Sequence, residues 1–146
     1  MYEFDDARLE DLSALRAADP LLRPLAEAGA RVRREAVSAE GPLDLLDADE
    51  RPRAMITFGP EARLLRAVLE PTCPVPLVAW PRLGLPGWVG PLDIVVVMGG
   101  GDKVSLAAAF EAVRRGCRLL VACPANSVLA RESASPSTTL LPTSTG

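Results

Sequence analysis

Residues 93–123 read DIVVVMGGGDKVSLAAAFEAVRRGCRLLVAC. An apolar, mostly β-branched run ends in three glycines. Asp102 and Lys103 follow, then a segment of helical periodicity that Gly116 closes as a C-cap, then a second apolar run. Short, continuously apolar strands separated by a helix belong to a parallel sheet covered on both faces. The same alternation extends outward. Upstream, RAMITFG (53–59) reads as a strand and PEARLLRAVLE (60–70) as a helix with Pro60 at its first position; VPLVAW (75–80) is another strand, followed by the Pro/Gly-rich connection PRLGLPGWVGPL (81–92). Downstream, NSVLARESA (126–134) reads as a short helix and TTLLPT (138–143) as a fifth strand. Right-handed crossovers then give a doubly wound α/β domain, expected as a five-stranded parallel sheet in the flavodoxin-like order 2-1-3-4-5 with helices on both faces.

Before this domain, residues 5–19 and 22–38 read as two helices. The first carries Leu9, Leu12 and Leu15; the second carries a stripe of Leu22, Leu25, Gly29, Val32 and Ala36. Glu27, Arg31 and Glu35, four apart, form its solvated face. The expected organisation is an N-terminal helical hairpin over residues 1–40 and an α/β domain over 41–146.

Composition narrows the function. The chain has 146 residues, 49% hydrophobic and 24% charged, with a net charge of −3. That balance gives no electrostatic reason to bind nucleic acid or an anionic membrane, and 4% aromatic content offers no base-stacking platform. No apolar run reaches the roughly 20 residues of a membrane helix, and the acidic opening MYEFDDARLEDL is no signal peptide. Cys73, Cys117 and Cys123, odd in number and without C-x-x-C spacing, read as free thiols in a reducing cytoplasm rather than a disulfide framework or zinc site. There is no histidine, which removes the commonest acid–base residue. No metal and no cofactor is expected, and no residue is assigned as catalytic.

Ligands of such sheets bind beyond the carboxyl ends of the strands, where strand order reverses. For order 2-1-3-4-5 that places the site between the loops after strands one and three. The candidate ligand-binding residues are therefore Gly59 and Glu61 on one loop, and Gly99, Gly100, Gly101, Asp102 and Lys103 on the other. GGGDKVS lacks the glycine a P-loop places before its lysine, and Val104 stands where a dinucleotide fingerprint needs its third glycine, so nucleotide binding is the weakest reading. The glycines serve either a tight strand-to-helix turn at positive φ or close backbone approach to an anion. Lys103 is either a point charge for that anion or an exposed first-turn lysine. Asp93, Asp44, Asp47, Asp49 and Glu50 read as solvated turn and loop acids. Ser105 has no base to activate it, and Trp80 and Trp88 pack under or beside the long connection.

The run from ITFGPEARLL to PANSVLARE, with PV entering strand two, Leu85-Pro86 before strand three and the ending AVRRGCRLLVA, resembles the first SIS (sugar isomerase) domain of bifunctional phosphoglucose/phosphomannose isomerases. The two leading helices fit that resemblance. It implies a cytoplasmic SIS domain, paired with a partner SIS domain or in a homodimer, that holds a sugar phosphate. The family reaction is aldose–ketose isomerisation of hexose 6-phosphates, whose glutamate base and histidine come from a second SIS domain beyond Gly146. The family's phosphate loop, S-x-S-G-x-T-x-E, reads Val97, Gly99, Gly100 and Asp102 here at its serine, serine, glycine and threonine positions. Its G-x-G-G-S reads Thr57-Phe58-Gly59-Pro60-Glu61, an acid replacing the sugar-contacting serine. The alternative expectation is a non-catalytic SIS-fold module for regulatory sugar-phosphate binding or subunit assembly.

Overall fold

The computed structural model describes residues 5–44, 46 and 51–144. Asp47, Asp49 and Glu50 lie outside the described residues. Two compact units divide the chain after Val37.

The first unit corrects the expected hairpin. A 3-10 turn, Asp6–Leu9, precedes one continuous helix, α1 (Leu12–Asp44, 33 residues). The expected break at residues 20–21 contains no glycine, and among the described residues no non-glycine residue adopts the positive φ that would reverse the chain. Pro20 and Pro24 remove two backbone donors, but both are exposed, where water can satisfy the freed carbonyls. No residue of α1 is buried.

The second unit is built on β1 (Met55–Phe58), β2 (Leu77–Ala79), β3 (Ile94–Met98), β4 (Arg118–Cys123) and β5 (Thr138–Pro142), all parallel in the order β2-β1-β3-β4-β5. Register aligns Thr57 with Val96, Val96 with Leu120, and Leu120 with Thr139. Helices α2 (Ala62–Leu69), α3 (Lys103–Arg114) and α4 (Val128–Glu132) make the crossovers. Because side chains alternate across a strand, Val95 and Val97 face one layer while Ile94, Val96 and Met98 face the other. The larger core joins Ile56, Phe58, Leu119 and Val121 to the small residues Ala108, Ala109 and Ala112 of α3, whose size lets that helix lie close to the sheet. The smaller core packs Ile94, Val96 and Leu120 with Leu65 of α2 and with Leu46.

The Pro/Gly connection is pinned by charge. Arg115 donates to the carbonyls of Pro86 (2.7 Å) and Val89 (3.1 Å), and Glu111 accepts from the Leu85 N–H (2.7 Å). Trp80 packs against the main core with Arg82 over its ring, whereas Trp88 is half exposed. Asp93 is not the solvated turn acid its position suggested. It is fully buried, taking Arg53 Nε (3.0 Å), Arg53 Nη2 (2.6 Å) and the Gly90 N–H (2.8 Å). A guanidinium forty positions upstream makes that burial tolerable, and no local pattern announces it. Cys117 and Cys123 are buried free thiols and Cys73 is a half-buried one; burial pushes the Cys117 thiol pKa up. Among the described residues, no helix is long and apolar enough to cross a membrane.

Candidate functional site

At the carboxyl end of the sheet, a cleft of about 340 Å³ opens between the loops after β1 and β3 and the ends of β4 and β5. Its lining is Glu61, Met98, Gly99, Gly100, Ala122, Pro124 and Thr143. Of the residues singled out by sequence, the structure brings Glu61, Gly99 and Gly100 together here. Pro124 and Thr143 were missed. They arrive because β4 and β5 run parallel to β3 and end at the same edge, so the strand-end rule, applied to all five strands, reaches them.

The other candidates have different neighbours. Gly59 sits at φ +112° with its Cα against the carbonyl of Met98, where an added Cβ would lie 2.0 Å from the oxygen. It also lines a separate small pocket of about 80 Å³ beside Trp80 and Arg63. Gly99 (φ +126°) and Gly101 (φ +112°) need glycine for the turn, and Gly101 packs on the start of α4. Gly100, alone of the three, has no positive φ, and a Cβ added there would meet nothing within 4 Å. Two of the three glycines therefore answer to backbone geometry, and the third leaves open space facing the cleft.

Asp102 is the N-cap of α3. Its Oδ1 accepts from the N–H groups of Val104 (3.0 Å) and Ser105 (3.1 Å), and its Oδ2 accepts the buried Ser105 hydroxyl (2.5 Å). The Ser105 hydroxyl and these backbone donors hold the carboxyl pKa below the usual carboxylate range, against a smaller opposing effect of burial. The positive end of the α3 dipole is thus already occupied by a fixed anion. Lys103 is exposed, lines no part of the cleft and forms no ion pair with a described residue. No lysine or arginine lines the cleft, while Glu61 does, without capping α2 through its side chain.

Asp102→Ala should therefore destabilise the domain by about 1 kcal/mol through the lost cap, measured by urea denaturation at neutral pH. The sign with pH follows from a folded pKa below the unfolded one. The cap's contribution is present above the unfolded carboxyl range and disappears as pH falls through the folded value, so the two proteins should converge in acid.

No protein-family model matches the chain, and no curated protein matches it by sequence. Solved structures do. The sugar isomerase domain of an RpiR transcription factor from Sphaerobacter thermophilus is similar, with a TM-score of 0.55 and 14% identity over 82% of this chain and 76% of that one. The fold is that of a SIS domain. A proposed phosphosugar isomerase from Clostridium difficile 630 is similar at a TM-score of 0.58 and 14% identity; 77% of this chain matches 35% of that one. A hypothetical protein of known structure gives 0.54 and 13% identity over 86% and 70% of the two chains. In this SIS-fold domain, then, the cleft lies at the expected sheet edge, and a carboxylate stands at the helix terminus beside it.

Proposed function

We propose that the chain is a non-catalytic SIS-fold binding module that takes an uncharged sugar or similar polyol in the cleft and serves regulation rather than turnover. The observation that carries this reading is Asp102. Its two oxygens satisfy three donors at the α3 N-terminus, so a phosphate would have to displace a bonded carboxylate and meet its charge. A cleft of about 340 Å³ suits a small ligand. Glu61, the Thr143 hydroxyl and the Gly100 backbone offer hydrogen bonds to hydroxyls and no cation for a phosphate, the Gly99 N–H being taken by the Ala122 carbonyl (3.1 Å). A regulatory role agrees with the similarity to a domain of a transcription factor.

The resemblance to phosphoglucose/phosphomannose isomerases implies instead the isomerisation of hexose 6-phosphates. That reaction would ask this chain for the phosphate seat where Asp102 stands and for the sugar contact where Glu61 stands. The separating measurement is an NMR titration with glucose, mannose and fructose, with their 6-phosphates, and with inorganic phosphate as control. Saturable shifts at Gly100 and Thr143 are expected with at least one free sugar and none with the phosphates, while Asp102→Ser admits the 6-phosphates. Tighter binding of a 6-phosphate than of its free sugar by the unaltered chain would restore the isomerase-type site. Silence toward every sugar would remove the sugar-binding reading altogether.

A further inference from the structure

Among the described residues, one buried side-chain polar atom has no hydrogen-bond partner: the indole nitrogen Nε1 of Trp80. A buried indole N–H ordinarily finds an acceptor, because it has given up water to be there. Trp80 directly follows β2, with its backbone N–H on the Thr57 carbonyl (2.9 Å) and its ring against the main core. It also walls the pocket of about 80 Å³ beyond the carboxyl ends of β1 and β2, together with Pro60, Arg63 and Pro81. Two cations belong to the same corner. Arg63 lines the pocket and makes no hydrogen bond or ion pair with a described residue. Arg82 stands 5.8 Å over the Trp80 ring and is paired with no described acid. Glu70, in the adjoining hollow, is already held by Arg66 at 2.7 and 3.0 Å.

We propose that this pocket is a carboxylate site, which takes the head group of a small organic acid between Trp80 and Arg63. Everything unmatched in this corner is a donor or a cation, so its occupant must bring acceptor atoms and negative charge. A carboxylate brings both in one plane, which suits an indole N–H on one side and the guanidinium fork of Arg63 on the other. A phosphate monoester brings a third oxygen and extra charge to a pocket whose unmatched side-chain donors are one indole and one guanidinium. The carboxylate matches that count. A hollow of about 300 Å³ shares Arg63, Ala79 and Pro81 with the pocket and leaves room for the body of the acid. Its Arg66–Glu70 pair is neutral as a unit and makes no further demand on charge. No residue lining the pocket or the hollow lines the cleft, so the assignment is independent of what the cleft binds.

The chain's two tryptophans give two indole N–H signals by NMR, and Trp88, half exposed and outside the pocket, is the internal reference. The full chain is titrated with sodium acetate and sodium pyruvate, against sodium chloride at matched ionic strength. The Trp80 indole signal should move downfield and saturate in the millimolar range with the carboxylates. Trp88 should stay still, and chloride should move neither. Arg63→Gln should weaken binding about tenfold, and Arg63→Lys, which keeps the charge but loses the fork, by less. Trp80→Phe keeps a ring without its donor; followed at the Ala62 amide, it should weaken binding to a similar extent. A motionless Trp80 signal, a response that chloride reproduces, or indifference to Arg63→Gln would each overturn the proposal. Tighter binding of inorganic phosphate than of either carboxylate would overturn it as well.

Discussion

Gly59→Ala should abolish stable folding of the α/β unit or destabilise it by more than about 3 kcal/mol. Two effects add at this position. The backbone sits at φ +112°, which an L side chain rarely adopts, and the new methyl would fall 2.0 Å from the Met98 carbonyl oxygen. That oxygen is main chain on the neighbouring strand, so it cannot swing aside as a side chain would; β1 and β3 would have to part at the edge where the cleft forms. Gly100→Ala is the matched control, because nothing lies within 4 Å of the position and its φ is not positive. Thermal denaturation should show the control within a degree or two of the unaltered chain. An equal loss in both would mean that the glycine loop as a whole, rather than the strand contact, limits stability.

The second large effect is expected at Asp93. Asp93→Ala should cost about 3 kcal/mol in urea denaturation, since it leaves the Gly90 N–H without its acceptor and frees Arg53 from the start of β3. Asp93→Asn, which keeps the shape and one acceptor oxygen, should cost less than half as much. The pH dependence is a separate readout. Burial pushes the Asp93 carboxyl pKa up, but the Arg53 guanidinium and the Gly90 and Ala54 N–H groups together pull it lower than its ordinary value. Its stabilisation is therefore present above the unfolded carboxyl range and is lost as pH falls through the lower folded value. The unaltered chain should weaken in acid by a component that Asp93→Ala lacks. Parallel stability curves for the two proteins between neutrality and acid would show that the ion pair contributes nothing.

The strands were legible because their signal is local. Each is a short apolar run bounded by glycine, proline or a charge, and VVV within β3 needs no partner to be recognised. The doubly wound class followed from the right-handed crossover rule, with the order 2-1-3-4-5 expected by likeness to flavodoxin-like sheets, and the α3 N-cap from Asp102 itself, a carboxylate placed at a helix start. Where the reading failed, the deciding term was not local. Residues 19–22 look like a helix boundary, but a break needs a residue able to reverse the chain, and none is there. Asp93 looks like a turn acid because its partner, Arg53, is forty positions away.

The three glycines show the same division more finely. Sequence presented them as one loop with two competing uses. Tertiary structure separated them, assigning Gly99 and Gly101 to the turn and leaving Gly100 open to the cleft. It also gave Gly59 a backbone role, which comes from the Met98 carbonyl across the sheet. Sequence by itself determined the class of fold and the anion built into the head of α3, consequences of periodicity, handedness and capping within a few residues. Only the tertiary structure decided which strand ends share the cleft, how the buried Asp93 carboxylate is neutralised, and that α1 runs unbroken through Pro20 and Pro24, because none of these is set by the local pattern alone.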